Sequence, residues 1–161
     1  MTRRRHSFFR EHSLSLVTAS ILTLWLVMYI RSDPSTHAGS FFGNAIADWS
    51  GTLVMVLATK YMYEVGSAES KKPRADHYSP LMHLLRTHSL TIFLAITGAF
   101  WLIAFLRMDP GSKWGQVTGN IFSEWLQTIG IVIMTKKLYE RGSKESGSAP
   151  KKILNAPSHN Q

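Results

Sequence analysis

Residues 121–140 read IFSEWLQTIGIVIMTKKLYE, and residues 45–64 read AIADWSGTLVMVLATKYMYE. Each stretch has a carboxylate near its start, an apolar middle without charge, and a finish built from Thr-Lys and Tyr-Glu. The offset is 76 residues, and no gap is needed to hold it. Extended to residues 8–70 against 84–146, the same register gives 24 identities, where unrelated sequences of that length give about 4. The pairs include His12-Ser13-Leu14 with His88-Ser89-Leu90, Trp25-Leu26 with Trp101-Leu102, and Gly43-Asn44 with Gly119-Asn120. The chain therefore reads as a tandem duplication, and the quoted stretch is a helix used twice.

The apolar blocks say where these helices live. Ser13–Ile30 is 18 residues without a charge and Thr87–Leu106 is 20. About 20 apolar residues in a helix span the hydrocarbon core of a bilayer. Trp49–Thr59 and Trp125–Thr135 add two uncharged cores of 11 residues each. Lysine snorkelling at one end lets these shorter cores span as well. The expected fold class is all-α: an integral membrane four-helix bundle of two tandem hairpins pointing the same way across the membrane. The expected organisation is a basic arm over 1–12 and a first hairpin over 13–66, with helices at about 14–30 and 45–63. A linker over 67–83 leads to a second hairpin over 84–142, with helices at about 89–106 and 121–138, and a disordered tail over 143–161. Ser13 is the expected cap of the first helix, and Asp33 can cap the turn that follows it.

A net charge of +8 would suit nucleic acid, but the distribution of the charge argues against it. Of 18 Lys and Arg residues, 15 fall on one side of the four expected spans and 3 on the other. That is the positive-inside bias, and it puts both termini in the cytoplasm of an inner-membrane protein. All five Trp residues fall toward the outer side, as interfacial aromatics do. The absence of Cys removes disulfides, thiol catalysis and thioether haem attachment. The N-terminal apolar run is not expected to be a cleaved signal, because its repeat partner is internal.

Wound at about 100° per residue, Asn44, Asp48, Thr52, Val56, Thr59, Lys60 and Tyr63 share one side of the first copy. Asn120, Glu124, Thr128, Val132, Thr135, Lys136 and Tyr139 share it in the second. This side predicts a polar seam inside the bundle, and a possible ion path. Asp48 and Glu124 are its sharpest points, because a carboxylate within a span is costly. Arg31 and Arg107 end the preceding helices and are the expected ion-pair partners of Asp48 and Glu124. Ser15, Ala19 and Thr23, with Thr91, Ala95 and Ala99, form stripes of small residues at four-residue spacing, expected to pack helix on helix. His12 and His88 occupy matching helix starts at the cytoplasmic edge, where a haem or metal ligand is not expected. No phosphate loop, nucleophile elbow or zinc motif is present, so neither catalytic residues nor cofactor are expected.

Ser123-Glu124-Trp125-Leu126-Gln127 and Gly66-Ser67-Ala68-Glu69-Ser70-Lys71 resemble motifs of an uncharacterised family of bacterial membrane proteins, described only as a domain of unknown function. The resemblance covers residues 8–146. It departs at His12-Ser13, where the family has Asn-Gly, and at Ala47-Asp48-Trp49-Ser50, where it has Ser-Glu-aromatic-Leu. It implies a duplicated membrane fold and a bacterial source, and no activity. Function then divides into three classes. The first is a non-catalytic membrane protein acting through association with itself or a membrane partner. The second is a small transporter or channel subunit using the Asp48/Glu124 seam. The third is a redox protein with a cofactor on His12 and His88. The partners expected are the lipid bilayer and a second copy or another membrane protein, with no nucleic acid.

Overall fold

The computed structural model describes residues 8–70, 79–138 and Ser143. The arm up to Ser7, residues 71–78 of the linker, Tyr139 and the rest of the tail lie outside the described residues. Among the described residues the chain is all-helical: α1 Phe8–Glu11, α2 Ser13–Arg31, α3 His37–Tyr61, α4 Pro80–Thr87, α5 Ser89–Arg107 and α6 Lys113–Met134. Three of these, α2, α3 and α5, are long and apolar enough to cross a membrane. Their outward faces agree: Ile30 on α2, and Ile96, Phe100 and Leu106 on α5, are each more than 60% exposed. An apolar surface this extensive marks a face for lipid or protein rather than water. The structure is that of a membrane protein.

Helices α2 and α5 match their expected spans to within a residue at each end. The cap expected of Ser13 is absent: His12 holds the N-cap position of α2 and its side chain makes no capping bond. The short helices α1 and α4 were not expected. Each precedes an apolar helix and ends at His12 or His88.

The larger correction concerns α3 and α6, which begin eight residues before the expected 45 and 121. The local chemistry explains this. Thr36 accepts a hydrogen bond from Gly39 N at 3.1 Å, and Ser112 accepts one from Gly115 N at 3.0 Å. Both are N-caps that satisfy a free amide of the first turn. The chain before each cap folds tightly back, so a Cβ at Gly39 or Gly115 would collide with the carbonyl oxygen of Asp33 or Asp109. As expected, Asp33 organises the first turn. Its carboxylate accepts from Ser35 N at 2.9 Å and Ser35 Oγ at 2.8 Å, which holds it below the usual carboxylate range. Helices that start this early carry polar first turns, and α6 lacks the apolar composition of the other three long helices.

The packed pairs are α2 with α3, α3 with α6, and α6 with α5. That order places α3 and α6 centrally. One core cluster joins α2, α3 and α6 through Tyr29, Ile46, Ala47, Val117, Ile121 and Trp125. A second, toward the other end, joins α3, α5 and α6 through Ala58, Leu90, Leu94 and Val132. Close approach depends on glycine at matching positions: a Cβ at Gly43 would stand 3.2 Å from the Tyr29 ring, and one at Gly119 3.1 Å from the Phe105 ring. In lipid this contact is the driving force, since dispersion and not water exclusion holds apolar helices together.

The small-residue stripes supply that contact only in part: Ser15, Ala19 and Thr91 are half-buried. On α5, Ala95 and Ala99 are exposed while Leu90, Leu94 and Gly98 are buried. On α2, Thr23 is exposed and Ser15 and Ala19 are half-buried. The stripe on α5 is displaced by one position, because Leu94 fills the space between α5 and the α3–α6 pair. Ala95 and Ala99 instead border a shallow groove of about 210 Å³ between α5 and α6.

Candidate functional site

Two carboxylate centres stand out, one beyond the C-terminal end of α3 and one at mid-helix. The first is Glu64. Past Tyr61 the chain leaves α3 and turns at Gly66, whose φ of +87° suits glycine. Leu90 N donates to Tyr63 O at 3.0 Å, which ties this segment to the start of α5. The Glu64 side chain is then fully buried and accepts from Thr91 N at 3.2 Å. It therefore serves as a remote cap for the Thr91 amide in the first turn of α5, where a negative charge is favoured. His88 Nδ1 lies 2.6 Å from the carboxylate, and Lys136 forms an ion pair with it. Burial alone would raise the Glu64 pKa, but hydrogen bonds from Lys136, Thr91 and His88 outweigh it and hold the group below the usual range. One carboxylate thus ties the end of α3, the start of α5 and the end of α6.

The mid-helix centre lies where α3 meets α6. Asn120 Nδ2 donates to Asn44 Oδ1 at 2.5 Å. One turn further along each helix, Glu124 lies beside Asp48, and its Oε2 would stand 3.9 Å from a Cβ at Gly51 of α3. Gly51 faces it at ordinary contact distance: a Cβ there would stand 3.8 Å from Glu124 Cβ. Residues 76 apart in the sequence therefore meet in space twice.

The structure brings the acids to each other and not to arginine. Among the described residues no ion pair joins Arg31 to Asp48 or Arg107 to Glu124; the pairs found are those of Glu64. Depth is the reason. Asp48 lies eleven residues past His37 and Glu124 eleven past Lys113, about 16 Å along the axis at 1.5 Å per residue. Arg31 and Arg107 stay at the C-terminal ends of α2 and α5, both exposed. The carbonyls at the end of α2 are served instead by Lys113, which donates to Ser32 O at 2.6 Å and Ile30 O at 3.2 Å. Tyr29 returns a bond to Lys113 O at 2.5 Å.

Nor does the seam run inside the bundle from end to end. Asn44, Asp48 and Thr52 are exposed, and Asn120, Glu124 and Thr128 half-buried. Thr52 bonds its own helix at Asp48 O, 2.9 Å away. Below them the Ala58, Leu90, Leu94 and Val132 cluster is apolar. Thr135 lies beyond it at the Glu64 end, 3.1 Å from Ser67 Oγ. Thr59 and Lys60 border an open cleft of about 460 Å³ with Ser15 and Glu69. His12 and His88 are each engaged elsewhere: His12 Nδ1 lies 3.0 Å from Lys60 Nζ, and His88 bonds Glu64.

Several polar residues that matter here lack a place in the sequence-derived seam. Gln116, Ser123 and Gln127 are exposed on α6 beside Asn120 and Glu124. Their spacing of 116, 120, 123 and 127 is that of one helical face. It becomes legible only once the helix is begun at the Ser112 cap. Comparisons with family models, with curated proteins and with solved structures each return no match.

Proposed function

We propose that this chain is a multi-pass inner-membrane protein of bacterial origin, with both termini in the cytoplasm, that works without catalysis by associating through its α3–α6 face. In this reading α2–α3 and α5–α6 are two tandem hairpins, and α6 crosses as the fourth span under the cover of α3 and α5. The observation that carries it is the exposure of Asp48, Thr52, Ser123 and Gln127 along central helices whose neighbours are apolar. In hydrocarbon every polar group needs a partner, and an ionisable one more so. A face of this kind is built to be covered. The protein released from its membrane in a mild amphiphile should migrate as a complex larger than one chain. Ser123→Leu with Gln127→Leu should reduce it to single-chain size. Migration as a single chain before substitution would remove the reading.

The acid pair favours a second reading, a small transporter or channel subunit, since carboxylates at mid-helix mark ion and proton routes. Ion flux in vesicles that Glu124→Gln abolishes would establish it; no flux above empty vesicles would exclude it. The orientation rests on the 15-to-3 division of basic residues. An impermeant thiol reagent applied to intact cells should label Ser40→Cys and spare Ser70→Cys, and the reverse pattern would overturn it.

A further inference from the structure

We infer that the occupant of the α3–α6 face is a second copy of this chain, whose amide and hydroxyl groups complete the hydrogen bonding of the Asp48–Glu124 pair. This rests on the association reading and names its partner. The face is two stripes joined edge to edge. Asn44, Asp48 and Thr52 stand at successive turns of α3, and Gln116, Asn120 and Gln127 at turns of α6. The Asn120–Asn44 hydrogen bond makes them one surface.

The chemistry of that surface selects its partner. It offers carboxyl and amide oxygens as acceptors, and side-chain amides with the Ser123 hydroxyl as donors. Both kinds occur within a turn of each other, so the surface is complementary to itself, as a twofold interface requires. Among the described residues no ion pair reaches Asp48 or Glu124, and the polar groups beside them are neutral. A neutral donor set at the same depth is what they lack. Copies of one membrane protein insert in one orientation, so a twofold axis along the membrane normal brings equal depths together. Ser123 lies one residue from Glu124 and Gln127 three, about 2–5 Å along the axis. Ser123 and Gln127 of the second copy therefore arrive level with the acid pair of the first.

The chain has no Cys, so single cysteines report this contact without background. The purified protein is reconstituted at low density into vesicles of phosphatidylcholine and phosphatidylglycerol and exposed to copper-phenanthroline. Ser123→Cys or Gln127→Cys should yield a disulfide-linked dimer. Phe100→Cys, on the apolar face of α5 and 64% exposed, should yield about tenfold less, the ratio that separates a specific contact from collision. Gln127→Leu added to Ser123→Cys should weaken dimer formation about tenfold through the lost interhelical hydrogen bonds. Thermal unfolding and circular dichroism of each variant show whether it is folded. Folded Ser123→Cys and Gln127→Cys proteins that cross-link no more than Phe100→Cys would overturn the proposal. If they fail while the complex extracted from native membranes persists, only the identity of the partner falls. If that complex is absent too, the association reading falls with it.

Discussion

Glu64 and the Asp48–Glu124 pair are both carboxylate centres between helices, and they are built in opposite ways. Glu64 has a fully buried side chain with three donors on it: an imidazole, a backbone amide and an ammonium. Asp48 and Glu124 have each other, on an open face, with no cation in reach among the described residues. A carboxylate placed to hold a fold is surrounded before it is buried, because an unpaired buried charge costs several kcal/mol. In the association reading, a carboxylate pair left open in a membrane bundle is covered by a partner. The first centre then serves architecture and the second the proposed association.

The sharpest way to break this contrast is to remove both kinds of carboxylate. Glu64→Ala strands Lys136, frees the Thr91 amide and opens a void. It should destabilise the protein by about 3 kcal/mol, the lower end for a broken buried pair because Lys136 is partly exposed. Glu124→Gln should change thermal stability of the single chain by less than about 1 kcal/mol. Equal losses would erase the distinction. Acid acts on the same point. The folded pKa of Glu64 lies below its ordinary value, so its stabilisation is fully present above the unfolded pKa of about 4.3. That stabilisation is lost as pH falls through the lower, folded value. Unfolding followed from pH 5 downward should show this limb, and Glu64→Gln should flatten it with His88 and Lys136 still in place.

The apolar layer between the two centres gives the next effect. Leu94→Ala empties a site that is 1% exposed and should cost about 2–4 kcal/mol. Ala95→Leu, one position on, points outward and should stay within about 0.5 kcal/mol. The reverse ranking would restore the small-residue stripe as the packing surface. A smaller loss is expected at the opposite end of the bundle from Glu64. Lys113→Met removes the donor that serves Ser32 O and Ile30 O, and the ammonium 4.8 Å over the Tyr29 ring. About 1 kcal/mol of thermal stability should go with it.

How much of this was readable beforehand follows from the residues. The ends of α2 and α5 are legible because charge stops at Ser13 and resumes at Arg31, and stops again after Arg86 and resumes at Arg107. The starts of α3 and α6 are not, because His37, Ser40, Lys113 and Gln116 look like loop. The cap and the glycine three residues on, Thr36 with Gly39 and Ser112 with Gly115, carry the signal that composition hides. That displacement of eight residues moved the acids from the interface to mid-helix and made arginine seem their partner. The repeat register draws attention to Asn44, Asn120, Asp48 and Glu124. It is silent on which residue meets which, since that depends on how α3 faces α6. Glu64 escapes notice because its partners lie 24 to 72 residues away.

The smallest effect tests the seam itself. Glycine inside a helix costs about 0.8–1 kcal/mol relative to alanine, so Gly51 at the middle of α3 needs a reason. Glu124 supplies part of one, since its Cβ and Oε2 would stand 3.8 and 3.9 Å from a new methyl group. Those are ordinary van der Waals distances, so Gly51→Ala fits without moving either helix. The gain in helix propensity should then prevail, and Gly51→Ala should raise stability by about 0.5 kcal/mol. The added methyl also narrows the rotamers open to Glu124 and should hold its carboxyl against Asp48. A loss of more than about 1 kcal/mol would mean that α3 and α6 approach more closely than this structure has them. The Asp48–Glu124 pair would then be a product of tight packing, and its openness would no longer distinguish it from Glu64.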